Sequence, residues 1–280
     1  MLIGIVCIIS CAVAAGFCYL TGGFVGLDFL WKLPVGFLGS FLILAVGYFL
    51  LLWLLCSLVD QEKPQQKDSK LYRILSILTA GVALQLLRAK VHTKGMEKLP
   101  KQGRYLLVCN HINDMDPVTL MAKFPKSQLA FITKRENQKL FIIGKLMHKI
   151  LCQPINREND REALKTILNC IQILKDDKAS IAVFPEGYTS MDGLLHPFRH
   201  GVFKIAQKAN VPIVVCTLQN TNRIFANGKK LKRTHVHLHL LDVIPAEELK
   251  GVTTVEIGNR IHAMMAEDLG PDLVLPEETT

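Results

Sequence analysis

The sequence predicts an α/β domain built on a mostly buried mixed sheet and preceded by a two-helix transmembrane hairpin. Two observations carry this expectation. Residues 1–59 hold two long apolar stretches in which the charged residues are Asp28 and Lys32. From Val91 onward, apolar runs of strand length alternate with segments of helical period, as in layered α/β domains.

Met1 to Leu27 and Pro34 to Val59 carry no charge. Read as a helix, Gly36 to Leu58 reaches roughly 34 Å, enough for a hydrocarbon core of ~30 Å, and Met1 to Leu20 reaches about as far. A cleaved signal peptide is the alternative for the first stretch. It lacks a basic leading region and a second span follows closely, which favours a hairpin turning at Gly22 to Pro34. Gly22 and Gly26 offer a small-residue pair of the kind that packs membrane helices. Lys63, Lys67, Lys70 and Arg73 follow the second span, whereas the turn has Lys32 alone. The positive-inside rule then places the body on the cytoplasmic face. Residues 60–90 read as a linker followed by an interfacial helix, Ile74 to Leu87, with Lys70, Arg73, Arg88 and Lys90 at headgroup level. A buried core helix is the other reading of that run.

The body, residues 91–269, carries the excess of Lys and Arg behind the net charge of +9. Tyr105 to Cys109, Leu129 to Thr133, Ser180 to Phe184 and Pro212 to Leu218 read as buried strands. Arg161 to Lys175 reads as an amphipathic helix with Leu164, Ile167, Leu168, Ile171 and Leu174 on its apolar face. Thr253 to Asp268 closes the domain as a helix, and residues 270–280 form an acidic, poorly ordered tail. None of the eight cysteines forms a C-x-x-C pair, so buried free thiols are expected rather than a zinc site. His235, His237 and His239 alternate with apolar residues and would share one strand face. That suits an edge or surface strand better than a metal site, because no cysteine or carboxylate lies near in sequence. No metal is assigned. Nucleotide-binding fingerprints and a G-x-S-x-G elbow are absent from the sequence. The basic charge is assigned to anionic lipid and an acidic acyl carrier rather than to nucleic acid.

The chemistry concentrates where the strand Tyr105 to Cys109 runs into Asn110-His111-Ile112-Asn113-Asp114-Met115-Asp116-Pro117. Pro117 suits a first helical position, with Asp116 as its N-cap, which would make this a capped turn beside a surface histidine. Alternatively, Asp116 orients His111 across the turn. A carboxylate on one imidazole nitrogen fixes the tautomer and leaves the other nitrogen free to take a proton from an attacking hydroxyl.

Asn110 to Pro117 resembles the N-H-x-x-x-x-D-P setting of the glycerophospholipid acyltransferases. Ile155-Asn156-Arg157, Phe184-Pro185-Glu186-Gly187, Pro197-Phe198-Arg199-His200-Gly201 and Val211-Pro212-Ile213 resemble further family segments in the same order. Val91 to Pro100 resembles the lead-in, and the likeness runs to about Leu241. It is greatest to the bacterial 1-acylglycerol-3-phosphate acyltransferases. The resemblance implies His111 as general base, Asp116 as its orienter and Arg157 as a ligand of the acceptor's phosphate. It also implies Glu186 as holder of the site's network or a contact of the acceptor, and Gly187 as the point where a lipid headgroup approaches the backbone. It implies direct transfer from acyl-CoA or acyl carrier protein to lysophosphatidic acid, with no cofactor and no acyl-enzyme. One departure stands out: the arginine usual at position 189 is Thr189 here. Lys134, Arg135, Arg199 and Lys204 are the candidate replacements. Another lysolipid or glycerol 3-phosphate as acceptor, or a silent lipid-binding membrane protein, are the rival readings. Oligomeric state is left open.

Overall fold

The structure is a computed structural model that describes residues 2–190 and 192–275. The chain divides into two units, Met1–Asp60 and Gln61–Thr280.

In the first unit, α1 (Leu2–Leu20) and α2 (Phe29–Ser57) pack as a helical hairpin. Both are long and apolar enough to cross a membrane. The turn is shorter than expected, because helix α2 begins before Pro34 and carries it within its early turns. Proline is tolerated near a helix start, where few backbone donors have intrahelical partners. Lys32 closes the turn, with its Nζ 2.9 Å from Asp28 and 3.0 Å from the Thr21 carbonyl. Gly22 and Gly26 do not form the helix contact expected of them. They take positive φ in the turn, whereas Gly36 lies so close to Ala14 that an added Cβ would come within 3.0 Å of its Cα.

The second unit opens with α3 (Lys70–Leu86), followed by β1 (Ala89–Lys94), β2 (Leu106–Cys109), α4 (Met115–Lys123), β3 (Leu129–Lys134) and α5 (Phe141–Lys149). Then come β4 (Gln153–Ile155), α6 (Asp160–Lys175), β5 (Ser180–Val183), α7 (Lys204–Ala209), β6 (Ile213–Gln219), α8 (Ile224–Lys229), β7 (Thr234–Ile244) and α9 (Thr254–Leu269). The strands form one sheet in the order β1-β7-β6-β2-β5-β3-β4. It is parallel except where β6 meets β7. Leu106 to Cys109 and Ser180 to Val183 are fully buried because their strands lie at the sheet's centre between two apolar layers.

Helix α3 contributes one face to the core. Leu75, Ala80 and Leu84 are buried, while Leu71, Ile74 and Leu86 stay exposed. Arg73 is not a headgroup cation. It is buried, 2.6 Å from Asp68, and donates to the carbonyls of Ile150 and Leu129. The carboxylate and carbonyls together satisfy a guanidinium that burial would otherwise penalise heavily. Helix α6 also differs from its expected stripe: Ile171 and Leu174 join Cys170 and Ile173 in the core, but Leu164 and Leu168 are exposed. The sequence stripe merges two faces, since Leu164 and Ile167 line a cavity instead.

The histidine strand β7 is not an edge. It pairs with β1 and β6, and β1 forms the border of the sheet. His92 of β1 stacks on His235 and His237, while His239 contacts Asp268. Among the described residues no group of three or more His, Cys, Asp or Glu is arranged to hold a metal ion. Cys109, Cys152, Cys170 and Cys216 are buried free thiols, and Cys109 faces Cys216 across the β2–β6 pair. In the hairpin Cys18 and Cys56 are buried, but Cys11 is exposed and Cys7 half-buried, contrary to expectation. Residues 270–275 are not a loose tail: Pro271–Leu273 form a helical turn, and Val274 bridges to Leu195. Residues 276–280 lie outside the described residues.

Candidate active site

Two adjacent parallel strands, β2 and β5, end at the same edge of the sheet, and each runs into a loop that carries predicted site residues. The carboxyl ends of parallel strands are where an open α/β sheet leaves a crevice. Asn110 terminates β2 and fixes its position against β6. Its side chain donates to the Leu218 carbonyl at 2.9 Å and accepts from the Leu218 N–H at 2.7 Å.

His111 follows. Its Nδ1 lies 2.8 Å from Asp116 Oδ2, and the same carboxylate oxygen accepts the backbone N–H groups of Ile112 and Asn113, each at 2.8 Å. The other Asp116 oxygen accepts the Thr221 hydroxyl. Asp116 is fully buried and is not the N-cap of α4, a place taken by Asp114. It lies within the first helical turn and reaches back to gather the loop before it. That removes the reading of a capped turn beside a surface histidine. With so many donors converging on the carboxylate, the proton of the imidazole is held at Nδ1, and Nε2 keeps its lone pair.

Nε2 is turned toward the loop after β5, where the Thr189 hydroxyl lies 2.9 Å away. Phe184 stacks on the imidazole, with ring centroids 4.2 Å apart at an angle of 18°. Ser190 donates to the His111 carbonyl from its N–H at 2.8 Å and from its hydroxyl at 3.2 Å. The two loops are thus tied together on both sides of the ring.

Glu186 contributes inside this knot. Its Oε1 accepts the His111 N–H at 2.7 Å and its Oε2 the His196 N–H at 3.3 Å. Burial pushes its carboxyl up to about 8, against the lowering effect of the His111 and His196 backbone hydrogen bonds, while Asp116 and Asp192 push the same way as burial. Glu186 is 1% exposed, so it ties loops together rather than facing water. Gly187 has φ +82°, as its place after the strand suggested, but its open side is taken by protein. An added Cβ would meet Arg199 Cδ at 2.7 Å and Nε at 2.8 Å. The arginine stem therefore crosses the glycine where a lipid headgroup was expected.

His111, Phe184, Gly187, Thr189 and Arg199 border a cavity of about 820 Å³. Apolar side chains such as Ala80, Met121, Phe131, Leu146 and Ile167 line much of it, and His111, Asp114, Arg157, Asp160, Thr189 and Arg199 are among its polar lining. A pocket of this size with both an apolar and a charged wall suits an amphiphile. Arg157 comes from the loop between β4 and α6, far from His111 in sequence. It is half-buried, and burial first, then the neighbouring Arg199, press its guanidinium below the ordinary range, while Glu136 acts weakly the other way. Lys134 and Lys204 also line the cavity, whereas Arg135 pairs with Glu162 at 3.4 Å.

The structure thus brings His111, Asp116, Glu186 and Gly187 together and sets Arg157 on the same cavity. Phe184, Thr189, Ser190 and Thr221 acquire contacts to which the sequence assigned no role. Thr189 had a signal, since it replaces an expected arginine. Thr221 had none, because only the fold carries it to Asp116.

A family model described as Acyltransferase matches residues 90–219. The chain is 30% identical over 197 residues to a probable 1-acyl-sn-glycerol-3-phosphate acyltransferase of Mycoplasma genitalium, covering 66% of this chain and 70% of that one. It is 30% identical over 184 residues to the Mycoplasma pneumoniae protein of the same description, covering 64% and 66%. With a chloroplastic 1-acyl-sn-glycerol-3-phosphate acyltransferase of Brassica napus it shares 33% identity over 142 residues, covering 50% and 40%. In the last two cases the chain spans less than two thirds of the relative's own length. The crystal structure of the 1-acyl-sn-glycerophosphate (LPA) acyltransferase from Thermotoga maritima superposes with a TM-score of 0.62 at 21% identity, covering 80% of this chain and 87% of that one. That likeness establishes a shared fold.

Proposed function

We propose that this chain, which belongs to the acyltransferase family, moves a fatty acyl group from acyl-CoA or acyl carrier protein to the sn-2 hydroxyl of 1-acyl-glycerol-3-phosphate, yielding phosphatidic acid. The observation that carries this reading is the hydroxyl of Thr189 on His111 Nε2, with Asp116 behind the ring. A hydroxyl already sits where an acceptor's must sit to lose its proton. Rotation of the threonine side chain vacates that position for the lipid.

In the reaction, the acceptor hydroxyl gives its proton to Nε2 as its oxygen bonds to the thioester carbonyl carbon. Asp116 supports the imidazolium that forms. Collapse of the tetrahedral intermediate breaks the carbon–sulfur bond, and the departing thiolate takes the proton from Nε2. Phe184 and Asp116 hold the imidazole in the orientation that serves both transfers, while Ser190 fixes the His111 backbone through its carbonyl. The apolar region of the cavity accommodates acyl chain, and Arg157, which lines the same cavity, binds the anionic headgroup. The balance of bonds and protons closes without a redox or metal cofactor, and none is assigned.

The helical hairpin anchors the chain in the bilayer that supplies the acceptor, with the second unit on the cytoplasmic face. Lys63, Lys67 and Lys70 support that orientation; Arg73, being paired inside the body, does not contribute to it. The test is a transfer assay of detergent-purified protein with lysophosphatidic acid and both donor types. The intact protein should release one thiol per phosphatidic acid formed, and His111→Gln should lose that turnover with its thermal midpoint kept. Equal turnover in the two proteins would exclude His111 as the base.

A further inference from the structure

Threonine stands at position 189, where the resemblance implies an arginine, and Lys134, Arg135, Arg199 and Lys204 are the candidate replacements. The structure separates them. Arg135 is engaged with Glu162 on the surface. Lys134 and Lys204 reach the cavity wall, but neither is tied to the loop that carries Glu186 to Ser190. Arg199 is. Its backbone N–H donates to the Pro185 carbonyl at 2.8 Å, and its side chain lies over Gly187. Only a residue without a Cβ, in the left-handed region that Gly187 occupies, leaves room for that crossing. The exposed Arg199 and the half-buried Arg157 both line the cavity.

Two guanidinium groups on one cavity repel each other, and Arg157 registers the repulsion from Arg199. Among the described residues neither side chain forms an ion pair or a hydrogen bond within the protein. Arg73, Arg104, Arg135 and Arg260 pair with Asp68, Asp177, Glu162 and Glu248, and the other arginines of this unit that lack a side-chain partner among the described residues, Arg88, Arg161, Arg223 and Arg233, do not line the cavity. A pair of unmatched forks beside a catalytic imidazole is the arrangement a dianion would satisfy.

We propose that Arg199, laid across Gly187, is the second cation of the acceptor's phosphate site, gripping a phosphate monoester together with Arg157 in place of the arginine missing at Thr189. The proposal rests on the acyltransferase reading of the site and assigns its specificity for a phosphorylated acceptor to residues from two separate loops. Gly187 is then a positioning residue that acts through Arg199.

Steady-state kinetics on full-length protein in detergent tests this, varying lysophosphatidic acid and acyl-CoA separately. For Arg199→Gln, the KM for lysophosphatidic acid should rise about ten- to one-hundred-fold, the loss expected for a charge-assisted contact to phosphate. The KM for acyl-CoA should stay within about threefold, and Arg199→Lys should recover some of the loss. Thr189→Arg placed in the Arg199→Gln background should lower the acceptor KM again, because it returns a cation from the other side of the same loop. Arg199 is exposed, so a preserved thermal midpoint is expected and is measured alongside. An acceptor KM unchanged in Arg199→Gln overturns the proposal. So does a rise confined to acyl-CoA, which would assign Arg199 to the phosphates of the donor. Failure of the unsubstituted protein to acylate lysophosphatidic acid would instead sink the reading of the site itself.

Discussion

Replacing Asp116 with asparagine separates the loop tie this side chain makes from the electrostatic role proposed for it. One role is structural: Oδ2 accepts Ile112 N–H and Asn113 N–H, and Oδ1 accepts the Thr221 hydroxyl. An asparagine carbonyl turned toward the loop keeps the first two bonds, and the Thr221 hydroxyl reverses to accept from the amide. The fold should survive. The other role is electrostatic. Unit charges about 4 Å apart at an effective dielectric of about 20 attract by about 4 kcal/mol. At about 1.4 kcal/mol per decade, losing that attraction to the imidazolium slows transfer by about 10³-fold. Asp116→Asn should therefore lose about two to three decades in kcat, with KM for both substrates and the thermal midpoint little changed. Asp116→Ala should lose stability as well, because two buried backbone donors are left without partners at about 1–3 kcal/mol each. Thiol release followed by a chromogenic disulfide, beside thermal denaturation, reads both. Full kcat in Asp116→Asn would show the carboxylate to be a loop tie and nothing more, and the base mechanism would fall.

Glu186 makes stability depend on pH. Its carboxyl is held near 8 in the folded state against an ordinary 4.5, so the folded protein resists ionisation. Stability is full below about 4.5, declines as pH rises toward about 8 and levels beyond it; Glu186→Gln should flatten that slope in thermal midpoints measured from pH 5 to 9. Asn110→Ala leaves the N–H and carbonyl of Leu218 unmatched inside the sheet, and should lower stability by about 2–4 kcal/mol in chemical denaturation of the body. Arg73→Ala strands Asp68 beside a buried site and should cost about 3–5 kcal/mol. The double substitution Asp68→Asn, Arg73→Met should recover much of this loss, and an equally unstable double variant would argue against the buried pair.

The central strands were legible because β2, β3, β5 and β6 are buried on both faces and so appear as unbroken apolar runs. The short β4, at the far border of the sheet, has no such run: Gln153 and Pro154 begin it, and only its pairing with β3 defines it. Helix α3 could not be divided between surface and core from composition, since Leu75 and Ile74 look alike in sequence yet one is buried and the other exposed. Arg73 misled for a related reason. Its neutralising partner Asp68 is near in sequence, but the carbonyls of Ile150 and Leu129 come from elements brought there by the fold. At the site, His111 and Asp116 were visible because six consecutive residues, running from the loop after β2 into the first turn of α4, hold both. Arg199 was only one candidate among four until the bare Cα of Gly187 showed which side chain crosses it.

The facing thiols of Cys109 and Cys216 give the protein an internal clock. Both are sealed within the sheet, and burial raises them far above the range in which thiolates form. An alkylating reagent can therefore reach them only during the moments when β2 and β6 separate. Since β2 leads directly into His111, the rate of that labelling counts how often the strand beneath the imidazole comes undone, and a bound amphiphile that steadies the strand should slow the count.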